Sequence, residues 1–104
     1  GQSFAFNGYL PTDAQERAKR IKELENRSRH EKQSQIFIET PYRNGALLQA
    51  LLASCHPQTL LCCATNLSLP EEQVQTMTVA QWKAGGEKTQ EMHKKPTVFL
   101  FLAA

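Results

Sequence analysis

Glycine is scarce in this chain, five in 104 residues, and none of the five frames a phosphate loop of the GxGxxG or P-loop kind. A self-contained nucleotide cradle is therefore absent. So are the GxSxG nucleophile elbow, the HExxH zinc helix and the CxxC redox pair, which removes three common catalytic machineries. Cysteine is limited to Cys55, Cys62 and Cys63. An odd number, with two adjacent, is no disulfide framework, and His30, His56 and His93 stand too far apart in the chain for zinc spacing. The expectation is plain core packing and no metal. No apolar run reaches membrane-spanning length, and none reads as a secretion signal, so no membrane partner is expected and a cytoplasmic address is the default. Charge of one sign is lacking too, since the net charge is only +2.

What is present is a length suited to one sheet-and-helix core and too short for two. The most informative stretch is Ile36-Phe37-Ile38-Glu39-Thr40-Pro41-Tyr42-Arg43, where a buried-strand pattern ends abruptly in a charged turn. In open α/β sheets the groups beyond a strand's carboxyl end line the crevice where ligands bind. Glu39, Thr40 and Arg43 are thus site candidates, although a surface ion pair of Glu39 with Arg43 is an equally simple reading.

The rest of the chain organises around that strand. Phe4-Ala5-Phe6 and Tyr9-Leu10 read as a first strand bent at Asn7-Gly8, stopped by Pro11. Thr12-Asp13-Ala14-Gln15 fits a capping box with Thr12 as the cap. Ala14, Ala18, Ile21 and Leu24 then give a narrow apolar stripe on a charged outer helix, with Glu16-Arg20 and Glu23-Arg27 as pairs or, alternatively, a phosphate-facing basic surface. Arg29 to Gln33 reads as a loop, followed by a second strand over Ile36–Glu39. Leu47, Leu48, Leu51, Leu52 and Cys55 mark a second helix from about Tyr42 to Ser54.

Leu60–Ala64 is apolar on both faces, hence a strand expected to be covered on both. Thr65 to Pro70 is the polar turn at its end. Val74 to Thr78 alternates like an edge strand, and Thr78 caps a short helix carrying Val79 and Trp82, closed by Gly85-Gly86. Glu87 to Lys95 reads as a loop. Pro96 to Leu102 is an unbroken hydrophobic strand for the middle of the sheet. The class is α/β (α+β): a mixed five-stranded sheet flanked by about three helices. The carboxylates beside strands are Glu39 and Glu71-Glu72, too few for paired acid/base chemistry, so the chain alone does not read as a self-sufficient enzyme.

The order Phe6-Asn7-Gly8-Tyr9-Leu10-Pro11, a basic helix with Arg17, Ile38-Glu39-Thr40-Pro41-Tyr42-Arg43, and Ala64-Thr65-Asn66-Leu67-Ser68 resembles the carboxy-terminal half of the tetrapyrrole (corrin/porphyrin) methylases, which are class III S-adenosylmethionine-dependent methyltransferases. The branch it most resembles methylates a cytidine ribose 2′-oxygen in small-subunit ribosomal RNA. The resemblance implies S-adenosylmethionine as cofactor, held in a cleft between this domain and an amino-terminal domain absent from this chain. It implies that Glu39, Thr40, Pro41, Ala64, Thr65, Asn66 and Leu67 face the adenosine part, and that Arg43, Tyr42 and Arg17 lie on the substrate side. It further implies ribosomal RNA and a second copy of the protein as partners. Thr65, Asn66, Leu69 and Tyr42 stand where that branch has Arg, Glu, Lys and His, so the resemblance bears on the cofactor more than on the substrate. A start at Gly1-Gln2-Ser3 without a Met is what a piece of a two-domain protein would show, and such a piece alone is expected to be inactive. The competing expectation is a non-catalytic binding or dimerisation module, with the Leu-rich helix and an exposed sheet edge as its interface.

Overall fold

The first strand, β1 (Ser3–Tyr9), contains the bend expected at glycine. Phe6 stands opposite Ile36 and Tyr9 opposite Ile38, three residues against two, so one extra residue is accommodated as a bulge. Gly8 supplies the left-handed φ of +67° that this requires. The bulge decides where Tyr9 points: a regular strand would have turned it to the opposite face from Phe6. Nothing crowds a Cβ at Gly8, so Gly8→Ala should lower stability through backbone strain alone, by about 1–2 kcal/mol. A urea midpoint unchanged from wild type would show that the bulge is not held.

The computed structural model of the protein describes residues 3–66, 68–85 and 95–104. Helix α1 (Ala14–Glu31) is capped one residue later than expected. Asp13, not Thr12, accepts the Glu16 amide at 2.9 Å, which sets a carboxylate against the positive end of the helix. The helix also runs through the segment read as a loop. It stops at Lys32, left-handed at φ 52°, whose N–H donates to the Ser28 carbonyl. Its last turns are polar yet docked: Ser28 is fully buried and its hydroxyl accepts the Ala103 amide at 2.9 Å. The expected Glu16-Arg20 and Glu23-Arg27 pairs do not form, and among the described residues the ion pair present is Arg20 with Glu23, at 3.4 Å.

Strand β2 (Gln33–Glu39) starts three residues before Ile36. Gln35 is fully buried and pays for its burial by accepting from Asn7 Nδ2 at 3.0 Å and donating to Gln33 Oε1 at 2.9 Å. Helix α2 (Asn44–Ser54) begins after a turn in which the Arg43 amide donates to the Thr40 carbonyl. Its leucines 47, 48, 51 and 52 are buried in the core, which overturns the expectation that the Leu-rich helix offers an interface. Strands β3 (Leu60–Thr65) and β4 (Gln73–Thr78) follow. Glu25 of α1 secures the α2–β3 connection, accepting from the His56 amide at 2.8 Å and the Thr59 hydroxyl at 2.6 Å.

Helix α3 (Val79–Ala84) opens with the expected Thr78 cap, which Gln81 completes as a capping box, and ends at Gly85. Gly86, and the loop read from Glu87 onward apart from Lys95, lie outside the described residues. Strand β5 (Thr97–Leu102) is central, in the sheet order β1-β2-β5-β3-β4. The β1–β2 pair is parallel and the others antiparallel, so the sheet is mixed and the fold is α+β, with three helices among the described residues.

All three helices cover one face. Phe37, Phe99, Phe101, Leu61 and Cys63 point into that layer and meet Ile21, Leu24, the α2 leucines, Val79 and Trp82. Phe37 and Phe101 pack edge to face at 5.2 Å between ring centroids. The opposite face has no covering layer among the described residues, contrary to the expectation for β3: Leu60 is 42% exposed, Phe6 63% and Val74 56%. An apolar run on both faces of a strand shows that both avoid water; it does not show that the same chain covers both. No helix among the described residues is long and apolar enough to cross a membrane.

Candidate functional site

Strands β2 and β3 point the same way because each is antiparallel to β5 between them. Their carboxyl ends therefore finish at one edge, separated by the first residues of β5 rather than adjoining. The register is specific: Glu39 pairs with Thr97, and Thr97 with Thr65. One row of polar residues thus crosses three strands at the level where the buried segments end.

A hollow of about 250 Å³ opens at this edge, on the sheet face away from the helices. Its floor is apolar, made of Ile38, Val98 and Ala64, with Tyr9 as a side wall placed there by the Gly8 bulge. Glu39, Thr97, Pro41 and Pro96 form the rim. Glu39 is only 8% exposed, and its carboxylate turns back to accept the Thr40 amide at 2.8 Å. Glu39 alternates with Ile38 along β2 and so lies on the buried, helix-side face with Phe37. An apolar floor of this kind suits the flat face of a heterocycle, while the Thr97 hydroxyl is engaged on the helix side, accepting from Asn44 and donating to the Lys95 carbonyl.

Of the residues nominated from sequence, Glu39, Pro41 and Ala64 line this hollow. Thr65 continues β3 past Ala64, beside Thr97. Asn66 comes next, nearly buried, with a left-handed φ of 54° that Asn tolerates better than most residues. Its amide donates to the Pro96 carbonyl at 2.9 Å and its carbonyl accepts from Leu69, so it ties the end of β3 to the entry of β5. Ser68 is also left-handed, φ 67°, held by the Glu72 carboxylate accepting its amide at 2.9 Å. Leu67 lies outside the described residues.

Thr40, Tyr42 and Arg43 are exposed on the adjacent turn, Tyr42 at 77%, and do not line the hollow. The Glu39–Arg43 ion pair is not formed; Glu39 bonds to backbone instead. Arg17 sits near the start of α1, at the same edge because α1 leaves the end of β1, but in the helix layer. Its Nε is shielded from water without a hydrogen-bond partner.

Sequence reasoning missed Tyr9, Ile38, Pro96, Thr97 and Val98 as lining residues, and missed Asn44 beneath them. Asn44, the first residue of α2, is fully buried, and its Nδ2 donates to the Lys95 carbonyl at 2.6 Å and to Thr97 Oγ1 at 3.2 Å. It fixes the path by which the chain enters β5. A Pro-Thr pair opening the most hydrophobic strand was a usable signal for the rim. Asn44 carried none, since a polar residue at a helix start is ordinary.

The cysteines take no part in the hollow. Burial, reinforced by Glu25, pushes the Cys55 thiol up, and burial with the neighbouring Cys62 does the same to Cys63, so both stay protonated and unreactive. Cys62 differs, being half-buried on the uncovered face. Among the described residues no group of three or more His, Cys, Asp or Glu side chains could hold a metal ion.

No protein-family profile matches the chain, and no curated protein matches it in sequence. Among solved structures, the crystal structure of the methyltransferase CobJ is similar, with a TM-score of 0.61 and 18% identity, over 98% of this chain and 41% of CobJ. The chain thus spans about two-fifths of that protein's length. What the likeness shows is the fold: the two-layer mixed sheet described above is an arrangement also found within a methyltransferase.

Proposed function

We propose that this chain is the cofactor-cleft and substrate-side half of an S-adenosylmethionine-dependent methyltransferase of the tetrapyrrole methylase kind. The observation that carries the reading is the hollow at the shared carboxyl edge of β2 and β3, on a fold like that of CobJ. At about 250 Å³ it falls below the roughly 300–1,000 Å³ of sites that enclose a drug-sized ligand. It suits part of such a cofactor, with a second lobe supplying the opposite wall.

The residues fit that role. Ile38, Val98 and Ala64 offer a flat apolar bed for a heterocycle, and the strand ends at Glu39 and Thr97 close its rim. Thr65 and Asn66 extend the polar edge. When bound, the cofactor supplies an electrophilic sulfonium methyl. The chain's contribution is to hold it in line with a nucleophile and to keep water out, with Arg43, Tyr42 and Arg17 toward the substrate. The class of substrate we favour is RNA, through a ribose 2′-oxygen, with a small tetrapyrrole-like molecule as the alternative.

Calorimetry with S-adenosylhomocysteine on the two-lobed protein tests the site. Ala64→Trp, which fills the hollow from an accessible face, should weaken binding at least ~10-fold, or about 1.4 kcal/mol. Asn66→Ala should weaken it less, and Arg43→Ala should leave it unchanged. Wild-type affinity in both Ala64→Trp and Asn66→Ala would remove the hollow from the cofactor site. For RNA, affinity should fall steeply with added salt as phosphate contacts release counterions, and Arg43→Ala should flatten that slope. A salt-independent affinity points to the small-molecule substrate.

A further inference from the structure

We propose that Tyr9 is the side chain that recognises the ligand's aromatic base, and that the Asn7 amide is the positioning group that holds it there through the Gly8 bulge. The inference rests on the cofactor reading of the hollow and deepens it, since it names the residue that selects for a planar base.

Folding does not account for Tyr9. At the end of an edge strand and 63% exposed, its ring adds little to the core. It is nevertheless the one aromatic among the described lining residues of the hollow, whose floor of Ile38, Val98 and Ala64 is aliphatic. An aliphatic floor accepts any apolar surface. An aromatic wall adds a preference for a second π-system, beyond what buried area alone provides.

Two anchors set the position of this wall. On one side Leu10, 4% exposed, is seated in the core. On the other is the bulge, in which Asn7 and Gly8 lie between the paired residues Phe6 with Ile36 and Tyr9 with Ile38. A bulge interrupts the ladder and leaves backbone groups short of partners. The Asn7 side chain compensates: its Nδ2 donates to Gln35 Oε1 at 3.0 Å, to the Ala5 carbonyl at 3.3 Å and, at the limit of reach, to the Ile36 carbonyl at 3.5 Å. Gln35 is fully buried and donates in turn to Gln33 Oε1 at 2.9 Å, and Gln33 donates to Ser3 Oγ at 2.9 Å. A relay of side-chain amides thus binds β1 to β2 from the helix side, and the bulge turns Tyr9 to the opposite face, beside the hollow.

Stability alone does not call for such a network, because apolar side chains of the same shape at Asn7 and Gln35 would serve nearly as well. What the amides add is direction: they fix the backbone at the bulge, and with it the one ring that borders the floor.

Calorimetry on the full-length protein with S-adenosylhomocysteine and, separately, with adenosine tests both parts. Tyr9→Leu keeps an apolar side chain and removes the ring, so it should weaken both ligands by the same ~3- to 10-fold with an unchanged urea midpoint. Tyr9→Phe should stay within about 2-fold of wild type. Asn7→Ala should weaken binding about 3-fold in the wild-type background and no further in the Tyr9→Leu background, because a residue that acts through the ring has nothing to position once the ring is gone. Gln35→Met, which removes the acceptor from the other side, should show the same non-additivity and serves if Asn7→Ala folds poorly. Wild-type affinity in Tyr9→Leu while Ala64→Trp binds weakly overturns the base contact and leaves the hollow as the cofactor site; wild-type affinity in both overturns the cofactor reading and this inference with it. A loss for S-adenosylhomocysteine without one for adenosine moves Tyr9 to the amino-acid end of the ligand and overturns the assignment to the base. Additive losses overturn the role of Asn7.

Discussion

Trp82→Ala is expected to lower the stability of the chain by about 3–5 kcal/mol, a large share of the roughly 5–15 kcal/mol available to a domain. The reason lies in the smallness of α3. Six residues cannot hold a helix by themselves, and this one is anchored by two buried side chains, Val79 and Trp82, both with no exposed surface. Trp82 does more than fill space: its Nε1–H donates to the Leu61 carbonyl at 2.8 Å, fastening α3 to the strand that carries one end of the site. Trp82→Phe separates the two contributions. It keeps most of the ring contact and loses the donor, so it should cost about 1–3 kcal/mol. Urea titrations followed by circular dichroism measure both, and two variants within 1 kcal/mol of wild type would show that α3 is not part of the cooperative core.

Asn44→Ala should destabilise by about 2–3 kcal/mol, because the Lys95 carbonyl and the Thr97 hydroxyl each lose a buried donor. Its second consequence is functional. Thr97 sits between Glu39 and Thr65 in the polar row, so loosening the entry to β5 disorders the rim of the hollow, and on the function proposed above S-adenosylhomocysteine binding should weaken together with stability. Asn44→Asp discriminates hydrogen bonding from packing. It preserves size but points an acceptor at a carbonyl, and it should be at least as damaging as alanine. Thermal melts of the two variants decide the matter: an Asp variant as stable as wild type would mean that the donor is not what holds the segment.

Where a boundary depended on local chemistry, the residues mostly announced it, although the α1 cap fell at Asp13 and not at Thr12. Pro41 and Pro57 frame α2, Thr78 caps α3, and the Pro96-Thr97 start of β5 leads into the most hydrophobic strand, which is central. Boundaries failed where polar residues were read as loop. Arg29 to Glu31 remain helical because Ser28, small and buried, docks against Ala103. Gln33 and Gln35 belong to a strand because they satisfy each other and Asn7 through side-chain hydrogen bonds. In both cases the partner that makes polarity tolerable is remote in the chain, some 28 residues away for Asn7 and Gln35 and 75 for Ser28 and Ala103.

The candidate site divides along the same line. Glu39, Pro41 and Ala64 could be found from the chain itself, because a buried strand ending in polar residues marks a position at the edge of a sheet. Tyr9 and Thr97 could not. Tyr9 reaches the hollow because a bulge reverses its facing, and Thr97 because β5 inserts between β2 and β3. By itself the sequence determined the elements, their class and the polar strand ends, since periodicity, proline and capping act over a few residues. Only the tertiary structure decided which ends share an edge, which sheet face the helices leave bare and which buried polar groups find partners, because strand order and register join residues that chain distance keeps apart.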